Sequence, residues 1–282
     1  MRTFSDGIDH VVIVVGDLES AAQDYRKLGF LPTPKGRHTM GSENHCVMFA
    51  SDYFELLGFP PGARAAQALL DFARRGSGLA AVVLRTSDAQ AMRDELNADG
   101  ISASDIRDFS RPVDLDGEVV QARFRTVDMP ASLTPGLHMF ACQHYTREAT
   151  WRRGYCEHPN GVTGLKDVIL ISNRPERDLA QYARLLDRPA VDMGGFWSLS
   201  FDSGAAITAV SKDRADHIVQ GLAGMVTRPA PCAGALRFFV DDLGTLADLF
   251  KRNQVAFKRV PGQQLLVGPQ SAHGVALVFC AN

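Results

Sequence analysis

The stretch Gly7-Ile8-Asp9-His10-Val11-Val12-Ile13-Val14-Val15, which leads into Asp17-Leu18-Glu19-Ser20 and a segment closed by Gly29, decides the fold. The largely apolar run predicts a strand that is covered on both faces. Asp17 is a good N-cap for the amphipathic segment that follows, and Gly29 is a typical left-handed stop. The sequence therefore places His10, a potential metal ligand, on a buried strand at the start of a βα unit.

The same unit recurs along the chain. Residues 44–49 and 53–59 are predicted to form a hairpin after the helix, so the first unit is βαβββ. Further starts follow Gly78, Gly164 and Gly234, which gives steps of 71, 86 and 70 residues from Gly7. We expect an α+β protein with four βαβββ modules paired into two domains. The predicted ranges are residues 1–146, a linker at 147–162, and residues 163–282.

Composition excludes several classes of partner. Hydrophobic residues make up 45% of the 282 residues, and the net charge of −2 gives no electrostatic reason to expect nucleic acid. The sequence has no apolar run of membrane-spanning length and no signal-peptide pattern at its start. Its five cysteines are odd in number and lack CxxC spacing, which favours a reducing cytosol. We expect a cytoplasmic protein with a small-molecule substrate and no membrane partner. The sequence leaves open whether the chain forms a homodimer.

Several of these motifs resemble the vicinal oxygen chelate superfamily, and more narrowly its glyoxalase-like branch. The resemblance is carried by the Gly-Ile-Asp-His-Val-Val opening, Arg-Lys-Leu-Gly-Phe at 26–30, Tyr-Phe-Glu-Leu at 53–56, and residues 44–49 and 143–145. It implies two βαβββ modules whose curved sheets form a cup for a divalent metal. Members include isomerases, lyases, dioxygenases, thiol transferases and drug-binding proteins, so the resemblance indicates the fold better than the reaction.

In that family the first and fourth strands of each module supply the metal ligands. The matching residues of the first module are His10 and Glu55, both of which bind divalent ions such as Zn, Ni, Mn or Fe. Glu55 is also the candidate for moving a proton. The matching positions of the second module fall at Ala81 and Phe140, neither of which can coordinate a metal.

The strand 137–144 offers a third ligand. His138, Cys142 and His144 share one face with Phe140 by strand alternation. The alignment does not choose among the three, and we favour His144, which would complete a set of two histidines and one carboxylate.

Other polar residues are candidates for substrate contacts. His45 on the third strand either lines the cup or faces solvent from the hairpin. The remaining histidines lie in loop-like stretches and are expected to be structural or exposed: His38, His158, His217 and His273.

Two arginines give a clue to the polarity of the substrate. Alternation puts Gln121, Arg123 and Arg125 on one face of a strand, where two guanidinium groups could hold a carboxylate, phosphate or enediolate oxygen. A charged, solvated edge strand is the alternative.

The second domain is expected to lack a site. The position that matches His10 is Asp167 in the third module and falls near Arg237 in the fourth. These residues do not form a set of metal ligands. This argues against extradiol dioxygenases, whose iron ligands lie in the second domain. Two functions follow: a metal-dependent lyase or isomerase acting on a small substrate with vicinal oxygens, or a metal-free protein of the same fold that binds drugs or other small molecules.

Overall fold

The computed structural model describes residues 7–115 and 117–282, which form two mixed eight-stranded sheets. The first sheet has the order β2-β3-β4-β1-β5-β8-β7-β6, and the second has the order β10-β11-β12-β9-β13-β16-β15-β14. The strands of the first sheet are β1 (Ile8–Val14), β2 (Gly36–Arg37), β3 (Glu43–Met48), β4 (Tyr53–Gly58), β5 (Gly78–Arg85), β6 (Arg107–Leu115), β7 (Glu118–Asp128) and β8 (His138–His144). Those of the second are β9 (Val162–Ile171), β10 (Val191–Asp192), β11 (Trp197–Ser200), β12 (Ala206–Val210), β13 (Cys232–Val240), β14 (Phe257–Val260), β15 (Gln264–Val267) and β16 (Ala276–Ala281).

The two sheets repeat one topology, which confirms the predicted fold class. In the first sheet the opening strand β1 pairs in parallel with β4 and antiparallel with β5, the opening strand of the next module. In the second sheet β9 pairs in the same two ways with β12 and β13. Each sheet is therefore a pair of modules joined through their opening strands.

Each module also has a helix after its opening strand. In the first module, the Asp17 carboxylate accepts the backbone N–H of Ser20 at 3.0 Å, which caps the helix as the sequence predicts. None of the described helices is long and apolar enough to cross a bilayer. The helices are α1 (Leu18–Lys27), α2 (Gln67–Arg74), α3 (Ala89–Ala98), α4 (Arg147–Thr150), α5 (Pro175–Leu186), α6 (Ala215–Ile218) and α7 (Leu243–Arg252), with short 3₁₀ turns at Ala131–Leu133, Arg153–Tyr155, Lys212–Arg214, Ala223–Met225 and Pro269–Ser271.

One apolar core joins the two sheets. It contains the buried faces of α1, α3, α5 and α7 and one face of each sheet. Phe238 of the second sheet lies 5.7 Å from the ring of Phe30 and 5.9 Å from that of Phe54. Because these faces meet in the shared core, the opposite face of each sheet is directed away from it and forms a separate cluster.

That opposite face differs between the two sheets. In the second sheet the segment 211–231 covers it, and Val219, Leu222 and Val226 are buried against Ile169 and Val278. The second sheet is therefore closed by its own chain, while the corresponding face of the first sheet borders a cavity.

A buried carboxylate links the two halves and should make stability depend on pH. Asp52 is 5% exposed, and its Oδ1 accepts the backbone N–H of Leu165 at 3.1 Å. Burial raises the pKa of Asp52 from 3.8 to about 6. The Asp52 carboxyl group therefore binds its proton more tightly in the folded chain than in the unfolded chain. The resulting stabilisation is complete below the unfolded pKa and is lost as the pH rises through about 6.

We therefore expect Asp52→Asn, whose amide oxygen can accept the same hydrogen bond, to be more stable than the wild type at neutral pH by on the order of 2 to 3 kcal/mol. Urea unfolding between pH 4 and 7 measures the difference between the two proteins, which should grow with pH. A difference that does not change with pH would show that Asp52 does not titrate in this range.

Candidate active site

A cavity lies on the free face of the first sheet, between its two modules. About 830 Å³ of empty space is present, including the open mouth. Its walls are largely apolar and include Leu57, Phe59, Phe109, Phe124 and Phe140. Its polar groups come from both modules, and they include His10, His38, Asn44, Glu55, Arg64, Arg107, Arg111, Asp128 and His138.

Asp9 and His10 on β1 form the most deeply buried polar pair at this cavity. The pairing of β1 with β5 shifts register between Ile8 and His10. Asp9 is 0% exposed and His10 is 4% exposed. His10 Nδ1 lies 2.8 Å from Asp9 Oδ2, and the His10 ring stacks on Tyr53 at 4.3 Å between centroids. The His10 ring is therefore fixed from two sides.

Asp9 is also held by three further side chains. His144 Nε2 lies 3.0 Å from Asp9 Oδ2, while Arg85 Nε and Arg147 Nη1 lie 3.5 and 3.6 Å from Asp9 Oδ1. Burial alone would raise the pKa of Asp9, but the charges and hydrogen bonds of His144 and His10 hold it well below its usual range. Since an ionised carboxylate only accepts hydrogen bonds, His10 Nδ1 carries the proton in this contact. In the neutral form of the ring, the other nitrogen, Nε2, has a lone pair.

That free nitrogen faces Glu55. His10 Nε2 lies 3.9 Å from Glu55 Oε2, and the amide of Asn44 donates to Glu55 Oε1 at 2.6 Å. Glu55 is 7% exposed. The structure thus brings together the two residues that the sequence placed at matching ligand positions, and Asn44 fixes the orientation of the carboxylate.

His38 is a residue that sequence reasoning missed. Its Nε2 lies 3.9 Å from Glu55 Oε1, and its Nδ1 lies 2.9 Å from Ser42 Oγ. Burial lowers the pKa of His38, although the negative charge of Glu55 opposes this. We expected a structural or exposed residue because His38 lies outside any predicted strand. The available signal was the segment Gly36-Arg37-His38. In the structure the short strand β2 in this segment pairs with β3 at Asn44, and His38 follows it beside the cavity.

The strand registers show which residues occupy the equivalent positions of the second module. Val12, two residues after His10, pairs with Glu55, and Val83, two residues after Ala81, pairs with Phe140. Ala81 and Phe140 thus lie at the positions that His10 and Glu55 occupy in the first module, as expected from the sequence of the two modules. The second module closes this side of the site with an apolar wall.

In the second sheet, these positions hold an ion pair. Asp167 and Arg237 lie side by side in the pairing of β9 with β13, and Arg237 Nε donates to Asp167 Oδ1 at 2.7 Å. Thr208 on β12 donates to Asp167 Oδ2 at 3.0 Å. The three residues satisfy one another under the covering segment 211–231.

His144 does not lie beside Glu55. It is not among the residues that line the cavity, and it contacts Asp9 behind His10. Within the described ranges, the one group of three residues with ligand atoms all within 4.8 Å of one another is Asp9, Cys142 and His144. Burial raises the pKa of the Cys142 thiol well above its usual value, and two arginines lie near Asp9. A protonated thiol and two nearby cations make this group a poor cation site. His138, the third alternative, lines the cavity but contacts Asp128 at 3.2 Å.

His45 lies on the other side of its strand from the cavity. Asn44, Cys46 and Met48 line the cavity, whereas His45 Nδ1 lies 2.6 Å from the carbonyl oxygen of Thr33. Its Nε2 lies 3.8 Å from Glu19 of α1. The ring is buried on the helix side, so it neither lines the cup nor faces solvent.

Arg123 and Arg125 share a face of β7, as predicted, but the cavity lies on the opposite face with Phe124 and Thr126. Arg125 binds Asp108 through two hydrogen bonds of 2.7 and 2.9 Å. On the paired strand β6, Arg107 and Arg111 line the cavity instead. Strand alternation puts both arginines on the same face as Phe109, which pairs with the inward Phe124. This alternation was the available signal that they face the cavity.

Comparison with known proteins agrees with this geometry. The model of the glyoxalase-like domain family matches residues 8–186, which include the whole cavity. No curated protein matches the chain in sequence. A hypothetical protein from Staphylococcus aureus has a similar structure, with a TM-score of 0.70 and 11% identity over 98% of this chain and 99% of that one.

Two further solved structures share the fold. A 4-hydroxymandelate synthase mutant from Streptomyces coelicolor has a TM-score of 0.59 and 14% identity over 99% of this chain and 93% of its own. A fusion of a xylose isomerase-like TIM barrel with 4-hydroxyphenylpyruvate dioxygenase has a TM-score of 0.63 and 12% identity, and the match covers 98% of this chain but 48% of that one. These likenesses concern the fold. The family match, which covers more than half of the chain, shows that the chain belongs to the glyoxalase-like domain family.

Proposed function

We propose that this chain is a divalent-metal-dependent enzyme of the lyase or isomerase type that acts on a small substrate with neighbouring oxygen atoms. The observation that carries the proposal is the contact of His10 Nδ1 with the buried Asp9, which leaves Nε2 facing Glu55 at 3.9 Å inside the cavity. A histidine held through one nitrogen by a carboxylate, with the other nitrogen directed at a second ligand type, is the usual arrangement of metal-binding histidines.

The donor set fits a divalent ion such as Zn, Ni, Mn or Fe. His10 would supply an imidazole nitrogen and Glu55 a carboxylate oxygen. His38 would supply a second nitrogen from the other side of the same carboxylate after a shift of its ring, because the ligand atoms of the three residues are not all within 4.8 Å of one another. A bound ion would act as a Lewis acid on a substrate oxygen. His38 takes the place that the sequence gave to His144, and the assignment of His144 as a ligand gains no support from the contacts of its ring.

The residues of the chain would orient the substrate and move its proton. Glu55 is held by Asn44 at the floor of the cavity, where its carboxylate is placed to take a proton from a carbon next to a carbonyl or hydroxyl group. The apolar walls formed by Phe109, Phe124 and Phe140 would exclude water from this point.

A metal-free small-molecule binding protein is the second candidate. It is favoured by Ala81 and Phe140, because the second module supplies no ligand at the matching positions and the ring of Phe140 lies 6.0 Å from that of His10. The two candidates differ in one measurable property, the metal content of the purified chain.

Elemental analysis of protein purified without an affinity tag for metals tests the proposal. We expect about one divalent ion per chain, and His10→Ala or Glu55→Ala should remove most of it. His38→Ala should weaken metal binding, while His45→Ala serves as the matched control, since His45 is a buried histidine outside the cavity. Full occupancy in the His10→Ala, Glu55→Ala double variant would overturn the assignment of these two residues as ligands. A wild-type chain purified without metal would overturn the proposal and favour the metal-free candidate.

A further inference from the structure

We propose that Arg111 is an anchor for the carboxylate group of a monoanionic ligand with an apolar body. The inference deepens the proposed function, because it names the group by which a substrate would be held. It rests on the proposed function for the other end of the ligand, which would face His10 and Glu55. Arg111 lies on β6 and lines the same cavity as His10 and Glu55.

Arg111 is a buried cation without a counterion. Arg111 is 7% exposed, and its Nε has no hydrogen-bond partner. Among the described residues, no carboxylate oxygen lies within 4.0 Å of its guanidinium, although pairs of this kind fix Arg107, Arg125, Arg188 and Arg237. An unpaired buried charge is costly. The Arg111 guanidinium therefore has no direct counterion among the described residues, and a bound anion would supply one.

The groups around Arg111 do not supply that counterion. The neighbouring Cys46 thiol is a weak hydrogen-bonding group and does not act as a counterion for Arg111. Glu55 is engaged by Asn44, and in the proposed function its charge serves the metal.

The remaining charges of the cavity point the same way. Arg107 and Asp128 neutralise each other at 2.6 Å. Arg64, which is exposed and lines the same cavity, has no ion pair among the described residues. A single buried cation with a second one near solvent suits attraction and capture of an anion of charge −1.

The shape of the site favours a carboxylate. A Cβ at Gly36 would lie 2.8 Å from Arg111 Nη1, so glycine at this position leaves room for the guanidinium. A planar guanidinium binds a carboxylate through two parallel hydrogen bonds. Phe109 stacks on Phe124 at 5.2 Å beside it and offers an apolar wall to the rest of the ligand. A phosphate dianion would leave one charge uncompensated at the buried guanidinium.

Calorimetric titration with small carboxylates and their neutral amides tests the inference. The probes are acetate, benzoate and phenylacetate, each with its amide, added to chelator-treated protein so that no metal ion binds the carboxylate. We expect benzoate or phenylacetate to bind more tightly than its amide by about tenfold to hundredfold. Arg111→Met should abolish that preference, and Arg125→Met is the matched control because Arg125 lies outside the cavity.

Two further readouts separate this inference from the proposed function. Arg111→Met should keep the metal content and at least the melting temperature of the wild type, since it removes a buried unpaired charge. Equal binding of acids and amides, or an unchanged preference in Arg111→Met, would overturn the carboxylate anchor whatever the metal content is. A chain without metal that still prefers the carboxylates would overturn only the proposed function.

Discussion

Asp9→Asn should lower the free energy of unfolding by about 3 to 5 kcal/mol, because it leaves buried charges without their counterion. Asp9 is 0% exposed and faces His10, His144, Arg85 and Arg147. The two histidines hydrogen-bond one carboxylate oxygen, and the two arginines lie 3.5 and 3.6 Å from the other. An asparagine would offer one oxygen and bring two donors of its own. Urea unfolding followed by circular dichroism measures the loss.

The same substitution should weaken metal binding. Without the Asp9 carboxylate, His10 is no longer held with Nε2 toward Glu55, and losses of about tenfold to hundredfold in metal affinity are typical for such supporting residues. Asp108→Asn is the matched control, since Asp108 pairs with Arg125 at an exposed site and should change stability by less than about 1 kcal/mol. If Asp9→Asn were as stable as the control and bound metal normally, the role given to Asp9 would be wrong.

Arg237→Met should destabilise the chain by a similar amount without affecting the candidate site. Arg237 and Asp167 form a buried pair, with side chains 12% and 3% exposed. Removal of the arginine leaves the Asp167 charge with the Thr208 hydroxyl as its remaining hydrogen-bond partner among the described residues, and breaking such a pair costs about 3 to 5 kcal/mol. The measurement combines urea unfolding with metal titration.

The double variant Asp167→Leu, Arg237→Met shows whether the loss comes from the stranded charge. Apolar replacement of both members of a buried pair is often neutral, so the double variant should recover most of the stability. Metal binding should equal that of the wild type in both variants. Loss of metal or of carboxylate binding in the double variant would contradict the view that the second domain has no site of its own.

Much of the fold was predictable because its signals are local. The first helix follows from its capping residue Asp17, and the helix at Pro175–Leu186 follows from its proline at the first position and its apolar spacing. The four glycine-led strands repeat. The covering segment 211–231 was not predicted. Its short turns have no strong period of their own, and they are stabilised by burial against the second sheet.

The site was predictable only where strand position decided it. His10 and Glu55 came together because parallel pairing of β1 with β4 puts them on one face. His38 and Arg111 were missed for different reasons. The position of His38 depends on a two-residue strand, and the inward face of Arg111 depends on which side of the β6–β7 hairpin meets the cavity. Alternation identifies the two faces of a strand but does not say which one is covered.

Anomalous diffraction from crystals soaked with Zn²⁺, Ni²⁺ or Mn²⁺ tests the central claim most directly. The account predicts one strong peak in the cavity of the first sheet, bonded to His10 Nε2 and to a Glu55 oxygen. A peak on the group formed by Asp9, Cys142 and His144, a peak in the second sheet, or no peak at a stoichiometric concentration of metal would contradict it.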